Sequence, residues 1–207
     1  MGATSTLTRV SATKSAERMV FFGDAAVAIA ITLLVLPLTE AVPEAIATER
    51  SSLDVIVDLQ GQIYTFLLSF AVIARLWAAH HHLFEQVTSY NSTLLRWHLL
   101  WVFTIVVLPF PTAMIAGFGD DPFTPQLYIA TVLASSVCLT TLVLVVHRNP
   151  ELRGDDLPER EIVNAVATTA SLVVAFGLAF IPGVGYFALF MLFVPPIFVR
   201  IRYRATP

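Results

Sequence analysis

At 207 residues, 57% hydrophobic and 13% charged against about 25% charged in soluble proteins, the chain falls in the membrane-protein class. No P-loop, G-x-S-x-G, H-E-x-x-H or G-x-G-x-x-G stretch occurs, so none of these soluble-type catalytic motifs is present, and a net charge of −3 gives no reason to expect a nucleic-acid partner. The single cysteine, Cys138, excludes an intrachain disulfide.

Read in chain order, residues 1–15 form a Ser- and Thr-rich tail expected to be disordered, and residues 16–204 a single membrane domain. Six spans are expected, over about 19–38, 55–79, 94–116, 124–147, 161–181 and 184–201. The architecture is therefore an all-α polytopic membrane protein. Lys14 and Arg18 ahead of an apolar run, with Ala45-Ile46-Ala47 beyond it, have the outline of a signal peptide. The run is longer than an h-region, and Glu40 and Glu44 separate it from Ala47, so an uncleaved first span is expected.

That first span carries one acid, Asp24. At about 100° per residue, Phe22, Ala26, Ile29, Leu33 and Leu36 share one stripe, whereas Asp24 projects about 140° or more away from Ile29. An ionisable group inside a bilayer turns toward protein or water, so Asp24 is expected to face its own bundle and leave the stripe for another partner. Thr32 flanks the stripe. Gly23, Ala25, Ala26, Ala28 and Ala30 give the helix a small profile that permits close approach by neighbours.

The second span opens after Ser51-Ser52-Leu53-Asp54, plausible capping residues, and carries Gln60-Gly61-Gln62, which is too polar for lipid. Toward its other end Trp77, His80, His81 and Phe84 fall on one face, with Arg75 and His82 roughly opposite. The third span begins with Arg96 and His98, and Pro109 should kink it. The fourth contains Cys138 and ends at the isolated His147. Ile181-Pro182-Gly183-Val184-Gly185 is a turn short enough to make the fifth and sixth spans antiparallel neighbours. With the N-terminus inside, eleven of the twelve basic residues fall on the cytoplasmic side, so both termini are expected there. Asp24, His80, His81, His98 and Arg18 then gather at one depth, where Asp24 can accept hydrogen bonds from a subset of the others. Plain helix gluing is the simpler use of such a cluster, and five histidines are too few for an iron centre of the membrane-hydroxylase kind.

Arg18-x-x-x-Phe22-Gly23-Asp24, followed by Ala28-Ile29-x-x-Thr32-Leu33-Leu34-Val35-Leu36, resembles the first-helix signature of the transmembrane protein 175 family of potassium channels. Tyr64, Ser69-Phe70, Trp77-x-x-His80-His81-x-x-Phe84 and Leu108-Pro109-Phe110-Pro111-Thr112 extend the resemblance over about the first half of the chain. Two positions depart from the family pattern: Gly23 replaces the usual serine, and His98 stands where the family usually has asparagine. Animal members resemble two six-helix units in one chain, whereas the R-x-x-x-F-x-D block occurs once here.

The resemblance implies a homotetramer in the cell membrane, with the first helix lining a central pore for K⁺ and other monovalent cations and no cofactor or metal. Ile29, Leu33 and Leu36 would form an apolar gate that also selects, with Thr32 beside it. Arg18, Asp24, Trp77, His80, His81 and His98 would form a structural polar network. The chief alternative from the residues is a secondary transporter for a small cation or solute, with Gln60-Gly61-Gln62 as its binding patch.

Overall fold

The computed structural model describes residues 3–118, 121–154, 156–181, 191–192 and 194–195. The helices among them are α1 (Ala3–Leu33), α2 (Leu36–Ala47), α3 (Ser52–Asp58), α4 (Gln60–Phe84), α5 (Ser92–Val107), α6 (Pro109–Gly117), α7 (Phe123–Arg148) and α8 (Glu159–Leu178), with a 3₁₀ turn at Pro150–Leu152. Five stretches among the described residues are long and apolar enough to cross a membrane: Ala16–Ala47, Gln60–Phe84, Ser92–Gly117, Phe123–Arg148 and Glu159–Leu178. They overlap the first five expected spans, the first running on to Ala47 and the second lying about five residues further along the chain. The expected sixth span, and the turn leading to it, lie almost wholly outside the described residues. α1 begins at Ala3, so the helix continues N-terminally through residues that the composition assigned to a tail.

Prolines divide two of the spans. Pro37 lies in the first turn of α2, where its missing N–H costs nothing, and the backbone across the break tightens into i→i−3 bonds, Leu34 N–H to Ile31 O and Val35 N–H to Thr32 O, both 3.3 Å. Pro109 opens α6 in the same manner, with Leu108 N–H on Ile105 O at 3.2 Å, at the kink expected from sequence. A third break, at Leu59, separates α3 from α4. Ser51 caps α3 as expected, its hydroxyl oxygen accepting from Asp54 N–H at 3.2 Å.

The core is built around α7, whose Tyr128, Ile129, Val132, Leu142 and Val146 are fully buried and which packs against both α5 and α8. Hydroxyls join α7 to α8 where two apolar helices would otherwise share only dispersion forces. Thr169 Oγ1 lies 2.8 Å from both Ser136 Oγ and Thr140 Oγ1. α1 lies on α5 and α4, applying Met19, Gly23, Val27, Ala30 and Leu34 to them. The ends of α4, α7 and α8 meet through a loop clasp, in which Thr88 N–H bonds Leu152 O at 2.9 Å and Gly154 N–H bonds Gln86 O at 3.1 Å. The clasp brings the α4 histidines to the same end of the bundle as Arg148, Arg153 and Arg160.

Candidate functional site

Asp24 faces the bundle, as its position off the stripe predicts. Trp77 Nε1 donates to its Oδ1 at 2.8 Å, a half-buried bond that pins α1 to α4. The histidines and Arg18 were the expected donors, and the structure gives the bond to Trp77 instead. Arg18 is exposed. His81 stacks on Trp77, with ring centroids 5.2 Å apart, and turns its Nε2 toward Glu85 at 3.6 Å.

His80 and His98 form a separate, fully buried pair between α4 and α5. His80 Nε2 and His98 Nδ1 lie 3.1 Å apart, so one imidazole donates to the other. Trp101 covers His80 almost face to face at 3.9 Å and 5°, with Phe84 also stacked at 4.3 Å, which fixes the ring. Sequence reasoning missed Trp101. Its signal was present, since Trp101 lies three residues beyond His98 on the same helix face.

Gly23 and His98, the two positions at which the sequence departs from the resemblance, meet in this structure. A Cβ added at Gly23 would lie 2.9 Å from His98 Cε1, closer than real Cβ atoms approach, and a tight 3.3 Å from Nε2. With glycine at 23 the His98 imidazole fits against α1 as it stands; a side chain there would force the ring to shift. Glycine here serves close approach between α1 and α5, and its backbone freedom plays no part.

On the opposite side of α1 the apolar stripe is uncovered. Ile29 is 60% exposed, Leu33 40% and Leu36 46%, whereas Val27, Ala30 and Leu34 on the inner side are 4% exposed or less. Thr32 is exposed beside the stripe, but its hydroxyl donates back to Ile29 O at 2.8 Å, as buried or lipid-facing threonines do. Behind the break between α1 and α2 lies a cavity of about 330 Å³ bounded by Leu33, Leu34, Leu36, Pro37, Gln62 and Pro109 among others. Of the polar patch, Gln60 and Gly61 are exposed at the start of α4, and only Gln62 turns toward this cavity, its buried Oε1 without a partner among the described residues.

The model of a known family, described as the endosomal/lysosomal potassium channel TMEM175, matches residues 18–109, the segment that contains the clamp, the histidine pair and the stripe. A potassium channel of Chamaesiphon minutus is 35% identical over 106 residues, covering 51% of each chain. The mouse endosomal/lysosomal proton channel TMEM175 is 29% identical over 183 residues, covering 82% of this chain and 36% of the mouse protein. The chain is thus similar to TMEM175 channels over its first half. The crystal structure of a lysosomal potassium-selective TMEM175 homologue from Chamaesiphon minutus superposes with a TM-score of 0.70 at 25% identity, covering 93% of this chain and all of that one. The likeness in fold thus reaches well beyond the matched segment, through α7 and α8. The TMEM175 relatives are named as channels and not as enzymes. This chain spans about a third to a half of the length of those relatives.

Proposed function

We propose that the chain assembles as a homotetramer in the cell membrane and forms a channel permeable to K⁺ and other monovalent cations, with the α1 helices around the axis. Ile29, Leu33 and Leu36 form the constriction, Thr32 flanks it, and Arg18, Asp24, Trp77, His80, His81 and His98 hold the helices that present it. Both termini are cytoplasmic, a sixth span follows α8, and residues 16–204 are the channel-forming unit. No cofactor is required.

The observation that carries this reading is the two-sidedness of α1. Its acid is bonded inward to Trp77, its small and aliphatic inner residues are buried, and its bulky residues Ile29, Leu33 and Leu36 are 40% exposed or more. One helix cannot enclose a pore, but identical stripes around a closed symmetry axis can. A ring of such side chains offers a passing cation no ligands to replace its water, so it resists wetting when narrow and discriminates by the cost of dehydration.

The reading is tested with Ile29→Cys and Leu34→Cys in a Cys138→Ser background, reconstituted in liposomes. A charged thiol reagent should block K⁺ flux through the Ile29→Cys protein and leave the Leu34→Cys protein conducting. Block of both to the same extent, or of Leu34→Cys alone, contradicts it.

A further inference from the structure

Arg75 and His82 project from the side of α4 away from the Asp24 clamp, and the site described above uses neither. Both line a cavity of about 350 Å³ between α4, α7 and α8. His82 Nε2 lies 3.0 Å from Glu161 Oε1, and Gln86 Nε2 donates to the same oxygen at 3.3 Å, so the carboxylate on this cavity is already engaged. Arg75 is half-buried two turns deeper along α4, about 10 Å from His82 along the axis. Among the described residues no carboxylate is within ion-pair range of it.

A guanidinium in this setting is costly. Taking a cation out of water without a counter-charge costs several kcal/mol in effective terms, and ionisable side chains in membrane segments are found paired or facing water and ligand. The rest of the cavity limits what the counter-charge can be. Leu76, Leu83, Leu139 and Val143 make most of its wall apolar, which suits an amphiphile better than a fully hydrated ion. Asn164, on the α8 side, has a buried Oδ1 with no donor among the described residues. The outer face of α8 carries exposed Val163, Val166, Val173 and Val174, so the cavity adjoins a surface suited to acyl chains. Required together are an anionic oxygen for Arg75, a hydroxyl for Asn164 and a hydrocarbon body.

We propose that the cavity between α4, α7 and α8 binds the phosphate headgroup of an anionic membrane lipid, held by Arg75. The guanidinium fork matches two phosphate oxygens, and a hydroxylated headgroup such as glycerol supplies the donor that Asn164 lacks. Glu161, which also borders the cavity, is held by His82 and Gln86.

The test uses the full chain, purified in detergent and stripped of lipid, with phosphatidylglycerol, phosphatidylcholine and inorganic phosphate as probes and the thermal unfolding midpoint as readout. Phosphatidylglycerol should raise the midpoint, and the other two should not. Arg75→Gln should weaken the apparent affinity for phosphatidylglycerol by roughly ten-fold or more, as the loss of a charged hydrogen bond implies, with Arg75→Lys between. Arg96→Gln, on the exposed side of α5, should bind as the wild type does. A phosphatidylglycerol shift unchanged by Arg75→Gln overturns the proposal, as does inorganic phosphate giving the same shift alone, which would make this a site for a free anion. Should the Arg75 variants not fold, photo-crosslinkable phosphatidylglycerol on the wild-type chain decides: labelling at Ala78 and Ala79 supports the site, and labelling confined to Leu99 and Leu100 refutes it. Neither readout depends on ion conduction, so this result and the channel reading stand or fall separately.

Discussion

Gly23 and His98 illustrate how a residue's meaning depends on the atom it faces. Against the resemblance, each in isolation is a loss, a hydroxyl at one place and an amide at the other, yet the two residues face each other across the α1–α5 interface. Gly23→Ser should therefore overpack the site and cost about 1–3 kcal/mol, read as a lower thermal midpoint of the purified protein. Adding His98→Asn should recover most of that loss, although His98→Asn alone removes His80's partner and destabilises. A double variant no better than Gly23→Ser would show that the two positions are independent. The Asp24 clamp makes a second prediction. Trp77→Phe leaves the carboxylate without its indole donor and should cost about 1–3 kcal/mol, whereas Asp24→Asn should lower the yield of assembled protein with little change in the K⁺/Na⁺ ratio. A large change in that ratio with normal assembly would put the carboxylate in the conduction path.

Elements were more legible than their partners. Hydropathy located the first five spans, and the wheel placed Asp24 opposite Ile29, because a 3.6-residue period needs no knowledge of neighbours. The same wheel put Trp77, His80 and His81 on one face but could not say which of them would reach Asp24. That depends on the height at which α1 crosses α4, which the period of a single helix does not carry. The break at Pro37 was also hidden within a run apolar enough to read as one span. It is nonetheless a defined feature, with tightened backbone on one side and a cavity behind. Pro37→Ala restores an N–H and removes the clash with the preceding turn. Amides from Leu34 to Leu38 should then exchange more slowly with deuterium, by an amount matching a helix that runs on from α1 into α2. Unchanged exchange would mean that packing, and not the proline, makes the break.

At the scale of the whole molecule, α1 is the element with two different obligations. Its inner side belongs to the protomer, and Leu34→Ala should cost about 2–5 kcal/mol of stability, as truncation of a buried leucine does. Its outer side carries the exposed Ile29 and Leu33, which the proposed tetramer would turn toward the axis. The most direct measurement is the reversal potential under opposed K⁺ and Na⁺ gradients for Ile29→Ala and Leu34→Ala, in liposomes containing assemblies of equal integrity. The account predicts that Ile29→Ala widens the ring, raises conductance and flattens the preference for K⁺, while Leu34→Ala keeps the wild-type reversal potential. Loss of selectivity in Leu34→Ala alone, with Ile29→Ala unchanged, would contradict it.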